Sequence, residues 1–144
     1  MNKDGFILSK TWYYILSCTW GILMTLAGAI VAGILLAAGY EPHKNIYGWY
    51  FICGKGWGGF NAGPVSIVSE NPHKHTLQHE FGHSIQNCIF GPLILPYVVI
   101  PSVCRYWYRT IKKVTSPPYD YAWFEGQATM FGERYYDAVT PEAP

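Results

Sequence analysis

Charge is what this sequence has least of. Only 13% of its 144 residues are charged, where an ordinary soluble domain carries about a quarter, and the deficit points to contact with lipid. Lysine and arginine are nowhere concentrated enough to track phosphates, and the formal net charge is +1, which excludes nucleic acid as a partner. Paired cysteine motifs are missing too. Cys18, Cys53, Cys88 and Cys104 form neither a CxxC pair nor a zinc-ribbon spacing, which excludes a cysteine-built metal site. They read as buried free thiols, with a Cys53 to Cys88 disulfide left open should that region face an oxidising compartment. The length allows one domain and no second.

Apolar residues make up half the chain and aromatics 17%. From Thr11 to Tyr40 thirty consecutive residues carry no charge, and about 20 apolar residues suffice for a helix to cross the hydrocarbon core. Lys3 and Lys10 precede this run, while Trp12, Tyr13, Tyr14 and Tyr40 sit where interfacial aromatics belong. Residues 11–40 are therefore expected to form a transmembrane helix, which makes the chain an integral membrane protein of the cell (inner) membrane in contact with the lipid bilayer. A cleaved signal peptide is the competing reading, but the run is about twice a usual apolar region of that kind. The small pairs Gly28 with Ala32 and Ala29 with Gly33 allow close approach by another helix, from this chain or from a second copy. The oligomeric state stays open.

Residues 45–70 mix aromatic and β-branched runs with glycine clusters, predicting two short strands joined by a turn around Lys55 to Gly59. Asn71-Pro72 suits a helix start, Asn as N-cap and Pro at the first helical position, for a helix from Pro72 to about Phe90. Gly91-Pro92 breaks it. Residues 89–104 are uncharged but contain Pro92, Pro96 and Pro101, so a kinked or re-entrant segment is expected instead of a regular span. A last helix is predicted over Tyr119 to about Ala138.

Within the predicted third segment the residues His79-Glu80-Phe81-Gly82-His83 match HExxH. Positions i and i+4 share one helical face, so both imidazoles can reach a single Zn²⁺. Glu80, offset by one residue, is placed to take a proton from activated water as general base instead of ligating. A catalytic zinc site needs a third protein ligand. Glu125 is the best candidate, flanked by aromatics that would desolvate it and by small Gly126 and Ala128; Asp120 and Glu133 are the alternatives.

These residues resemble the gluzincin group of zinc metallopeptidases, in which a glutamate on a later helix completes the HExxH helix. The similarity covers about residues 65–133 and implies His79, His83 and Glu125 as metal ligands with Glu80 as general base. Glu125-Gly126-Gln127-Ala128 also looks like the ExxA part of the ExxAD signature of membrane-embedded peptidases of that group. Thr129 stands where the aspartate would be, which leaves the group that orients a ligating histidine unassigned.

Val65, Ser66 and Ile67 are expected to lie in the strand that holds substrate beside the HExxH helix. His75, His79 and His83 form one helical stripe, and His75 either touches substrate or a second metal or is simply solvated. Tyr119, Tyr121, Tyr135 and Tyr136 are all near enough to Glu125 in sequence to supply an oxyanion donor.

The expected fold is mainly α with a small β element: one N-terminal transmembrane helix, a short β-hairpin, the HExxH helix, a kinked apolar or re-entrant segment and a C-terminal helix. All belong to a single membrane-anchored domain, 1–144, with 45–138 as its catalytic part. If residues 92–104 crossed the membrane fully, His83 and Glu125 would start on opposite sides, so a returning segment is required. The expected function is zinc-dependent hydrolysis of peptide bonds in a peptide or membrane-proximal protein. Hydrolysis of another amide or ester is an alternative, and so is a non-catalytic membrane scaffold with structural or no metal.

Overall fold

A computed structural model describes residues 7–114 and 122–139 of the chain. It is mainly helical with one small sheet. Helices α1 (Lys10–Cys18) and α2 (Ile22–Ala37) come first, and strands β1 (His43–Asn45), β2 (Gly48–Ile52), β3 (Gly59–Ala62) and β4 (Val65–Val68) follow. Then come α3 (Lys74–Phe90), a 3₁₀ turn (Gly91–Leu93), a π-helical turn (Leu95–Val99), α4 (Ile100–Lys112) and α5 (Trp123–Val139).

The expected continuous helix over residues 11–40 is broken. Among the described residues no single helix is long and apolar enough to cross a membrane; α1 and α2 pass that test only together, and they are bent by 94°. The break has a tertiary cause. Asn87 of α3 donates its side-chain N–H to the Gly21 carbonyl at 3.1 Å, and a Cβ at Gly21 would lie 2.5 Å from that Asn87 nitrogen. The apolar run thus turns where α3 meets it, and α1 lies back on α3. Tyr13 of α1 is fully buried, its ring 5.8 Å from that of Phe81 and 5.4 Å from that of Tyr47, distances at which aromatic rings attract.

Of the two small-residue pairs in α2, Gly28 is used internally, though against the sheet and not a helix. A Cβ there would meet the Ala62 carbonyl at 2.1 Å. Around a Cβ built on Gly33 there is nothing within 4 Å.

The expected hairpin is instead a four-stranded mixed sheet, ordered β1-β2-β4-β3. β1 pairs antiparallel with β2, β2 parallel with β4, and β3 antiparallel with β4. The Lys55 to Gly59 stretch, expected to turn a hairpin, is a crossover that carries β3 past β4's position to the outside of the sheet. Ile46 (φ 50°) and Gly63 (φ 62°) sit in the actual hairpin turns, where a positive φ suits glycine and is uncommon for isoleucine.

Helix α3 begins two residues later than expected, with His73 as N-cap, because Asn71 adopts φ 55° and cannot serve as the extended cap. The three prolines of residues 92–101 do interrupt regular helix, as a 3₁₀ turn, a π turn and a Pro near the start of α4. Beyond this segment α5 packs along α3. All four cysteines are free: Cys88 is buried against Ser17 and Cys53 faces the Tyr40 hydroxyl, so the Cys53 to Cys88 disulfide does not form.

Candidate metal centre

Two glycines bring α3 and α5 into backbone contact. A Cβ at Gly82 would lie 1.7 Å from the Ala128 carbonyl oxygen, and one at Gly132 would lie 1.8 Å from that of Gln78. Only hydrogen fits at either crossing point. This approach carries Glu125, in the first turn of α5, onto the His79/His83 face of α3.

The three groups converge on one point. His79 Nε2 is 2.9 Å from Glu125 Oε2, His83 Nε2 is 3.3 Å from the same oxygen, and the two Nε2 atoms are 3.2 Å apart. Ligands about 2.0–2.1 Å from a tetrahedral zinc ion are about 3.3 Å from one another, so the triangle has the dimensions of one face of that polyhedron. Glu125 is fully buried. A carboxylate without water needs a compensating positive charge, and a cation bound between it and the two imidazoles would provide it. This His79/His83/Glu125 cluster is the only one among the described residues that could hold a metal ion.

The far sides of both imidazoles are held. His83 Nδ1 lies 2.7 Å from Gln86 Oε1. Gln86 Nε2 donates to the Phe124 carbonyl at 2.8 Å and to Gln127 Oε1 at 3.0 Å, which fixes the amide with its oxygen toward the histidine. His83 Nδ1 must then carry the proton and donate, leaving Nε2 with a bare lone pair for a metal. His79 Nδ1 is 2.9 Å from Thr129 Oγ1. The residue that departs from the ExxAD pattern thus stands beside one of the two histidines of the cluster. Ser102 of α4 donates to Glu125 Oε1.

Glu80 is buried beside the cluster and lines a cavity of about 70 Å³ with His79, His83, Glu125 and Ser102. A water needs roughly 10–15 Å³ of such space, so water and one reacting group fit. Burial raises the Glu80 carboxyl above its ordinary range, partly opposed by the nearby histidines. Burial alone would lower His83, but its hydrogen bond to Glu125 and the charges of Glu80 and Glu125 leave it raised. The bonds from His79, His83 and Ser102 overcome desolvation to hold Glu125 well below the carboxylate range. Gly59 of β3 makes room for Glu80: a Cβ there would sit 2.6 Å from Glu80 Oε1.

The other expected site residues fall elsewhere. Val65, Ser66 and Ile67 form β4, which is paired on both sides, so their backbone has no free edge to offer a substrate. The strand with the outer edge is β3, which lines the cavity through Gly59, Phe60 and Asn61. The Tyr135 hydroxyl accepts the Leu8 N–H at 2.7 Å and that of Tyr136 is bonded to Asn45, so neither reaches the metal site. Tyr119, Tyr121 and Asp120 lie outside the described residues, and Glu133 is exposed. His75 is exposed, its ring 6.2 Å from that of His79. Sequence reading missed Gln86, Ser102, Gly59 and Gly132; of these only Gln86, three residues beyond His83, carried a positional signal.

No family model matches the chain, and neither a curated protein nor a solved structure matches it.

Proposed function

We propose that this chain is a zinc-dependent peptidase in which His79, His83 and Glu125 hold the metal and Glu80 is the general base. The observation that carries this is the convergence of two imidazole nitrogens and one carboxylate oxygen, with a buried carboxyl one residue from the first ligand and an open cavity beside them. Two imidazoles and a carboxylate are a donor set that suits zinc. When bound, such an ion supplies a Lewis acid and a water ionisable near neutral pH. Glu80 takes the proton from the attacking water and returns it to the leaving amine. Gln86 and Thr129 keep both imidazoles aimed, and the outer edge of β3 is where an extended substrate chain can lie as an added strand.

We also read α2 and the segment after α3 as membrane contacts, so that the substrate is a peptide or a membrane-proximal protein segment. This rests on apolar side chains turned outward: Leu23, Leu26, Ile30 and Ile34 on α2, and Leu93, Tyr97 and Ile100 beyond α3. Exposed apolar patches of this kind mark interaction or membrane surfaces.

The test is elemental analysis of detergent-purified protein with a peptide-library assay on the same samples. About one zinc per chain is expected in wild type, lost in His79→Ala and Glu125→Ala. Glu80→Gln is expected to keep its zinc and lose activity by roughly 10²- to 10⁴-fold. Absence of metal after remetallation, or full turnover in Glu80→Gln, overturns the reading.

A further inference from the structure

The cavity at the metal cluster opens between β3 and α4 into two arms of opposite character. One, of about 360 Å³, is walled by Trp57, Phe60, Val103, Tyr106 and Trp107. The other, of about 200 Å³, runs past Gly58, His75 and Thr76. Tyr106 stands in the wall of both arms. The first arm shares Gly59, Phe60, Ser102 and Val103 with the cavity that holds the cluster, so it begins where a reacting bond would lie.

No charged residue lines that larger arm, and two of its polar groups are engaged. The Trp57 indole N–H donates to the Cys53 carbonyl at 2.7 Å, and the Ser102 hydroxyl donates to Glu125. The rest of the wall is aromatic and aliphatic surface that carries the Tyr106 hydroxyl and the Trp107 indole N–H. Its volume is at the lower end of the roughly 300–1,000 Å³ found for small-molecule sites, which suits one bulky group. A charged group entering it would meet no opposite charge to offset the water it gives up.

We infer that this arm is a specificity pocket for one large apolar side chain, aromatic or branched aliphatic, adjacent to the bond that is cleaved. The inference rests on the peptidase reading for turnover, while the pocket's binding preference can be read separately. On the other arm, His75 and Thr76 offer polar contacts, so the selection is one-sided: a substrate is chosen by a bulky residue on one side of the reacting bond and tolerated more broadly on the other.

The experiment uses the zinc-loaded full-length protein in detergent and three hydroxamates, which anchor on the metal and carry a methyl, a benzyl or an octyl group. Binding is measured by calorimetry alongside cleavage of a peptide library. The benzyl compound should bind wild type about tenfold or more tighter than the methyl compound. Val103→Arg, at a position on α4 that is 41% exposed, should abolish most of that preference without changing metal content. Cleaved peptides should share a bulky apolar residue at one position, and Val103→Arg should shift that position toward acidic residues. Equal binding of benzyl and methyl compounds, or a preference untouched by Val103→Arg, overturns the pocket and leaves the peptidase reading intact. An octyl compound that outbinds the benzyl one overturns it in favour of a lipid chain. A benzyl preference with no peptide cleaved sustains the pocket and sinks the peptidase. A protein that takes up no metal overturns both.

Discussion

The crossing of α3 with α5 and the helix α4 form two sides of the same site, and they are built on opposite terms. At the crossing, Gly82 against Ala128 and Gly132 against Gln78 leave no space for a methyl group, and Glu125, His79 and Gln86, the partner of His83, are buried there. Helix α4 buries none of its residues, although it supplies Ser102 to Glu125 and the wall of the apolar arm. Groups that must hold a fixed geometry to within fractions of an ångström sit on the tightly packed pair. The groups proposed to select among substrates sit on an element whose exposure, Ser102 apart, lets it change without disturbing the cluster.

The sharpest way to break this comparison is Gly82→Ala. The added methyl has to push α5 away by more than an ångström, so the variant should lose metal binding and either fail to fold or lose about 3 kcal/mol. Thermal unfolding together with zinc content reads this, and a variant that melts and binds like wild type would show that the crossing is not closed. Next in size is Gln86→Ala. It leaves the helix pair intact but removes the acceptor from His83 Nδ1, so zinc affinity should fall about 10- to 100-fold in a competition titration with a coloured chelator.

The pH dependence of the metal-free protein comes third. Glu80 and His83 both bind their protons more tightly in the fold than free. The stability they contribute is complete below their ordinary values and is lost as pH rises through the raised ones. Glu125 is lowered, so its contribution has the opposite sign: present above the ordinary carboxylate range and lost in stronger acid. Metal-free protein should therefore melt higher near about pH 6 than near about pH 8. Excess zinc should flatten or reverse that slope, because protons and metal compete for the same groups. A metal-free melting point that rises steadily to about pH 8 would contradict the assigned directions. The smallest effect belongs to α4: Val103→Arg should leave unfolding within about 0.5 kcal/mol of wild type, since nothing buried depends on that side chain.

The His79/His83/Glu125 cluster that could hold a metal ion was legible in the sequence because HExxH fixes two groups by helical period and Glu125 lies in an aromatic, small-residue stretch. The rest depended on which segments meet in space. The bend at Gly21 is imposed by Asn87, sixty-six positions away, and no local pattern in an uncharged run encodes it. The strand register suffered similarly: Val65 to Val68 has the alternation of an edge strand, but the crossover of residues 53–58 puts β3 outside it, so the free edge passes to a strand with no β-branched residue to announce it. Thr129 read as a departure from a signature; in place, its hydroxyl stands against His79 Nδ1 as an aspartate would. Gly82 is an unremarkable filler of HExxH until the Ala128 carbonyl is seen against it.

The fold of α1 back onto α3 has a consequence for how the protein can be divided. Tyr13, Phe81, Ile85, Cys88 and Tyr135 form one buried cluster, so the first helix is as much a part of the folded body as α3 is. Cutting the chain ahead of Ile22 would therefore not trim away an appendage; it would open a hole against α3 itself. The first helix and the helix that carries His79 and His83 belong to one packed unit, and neither can be taken away without the other.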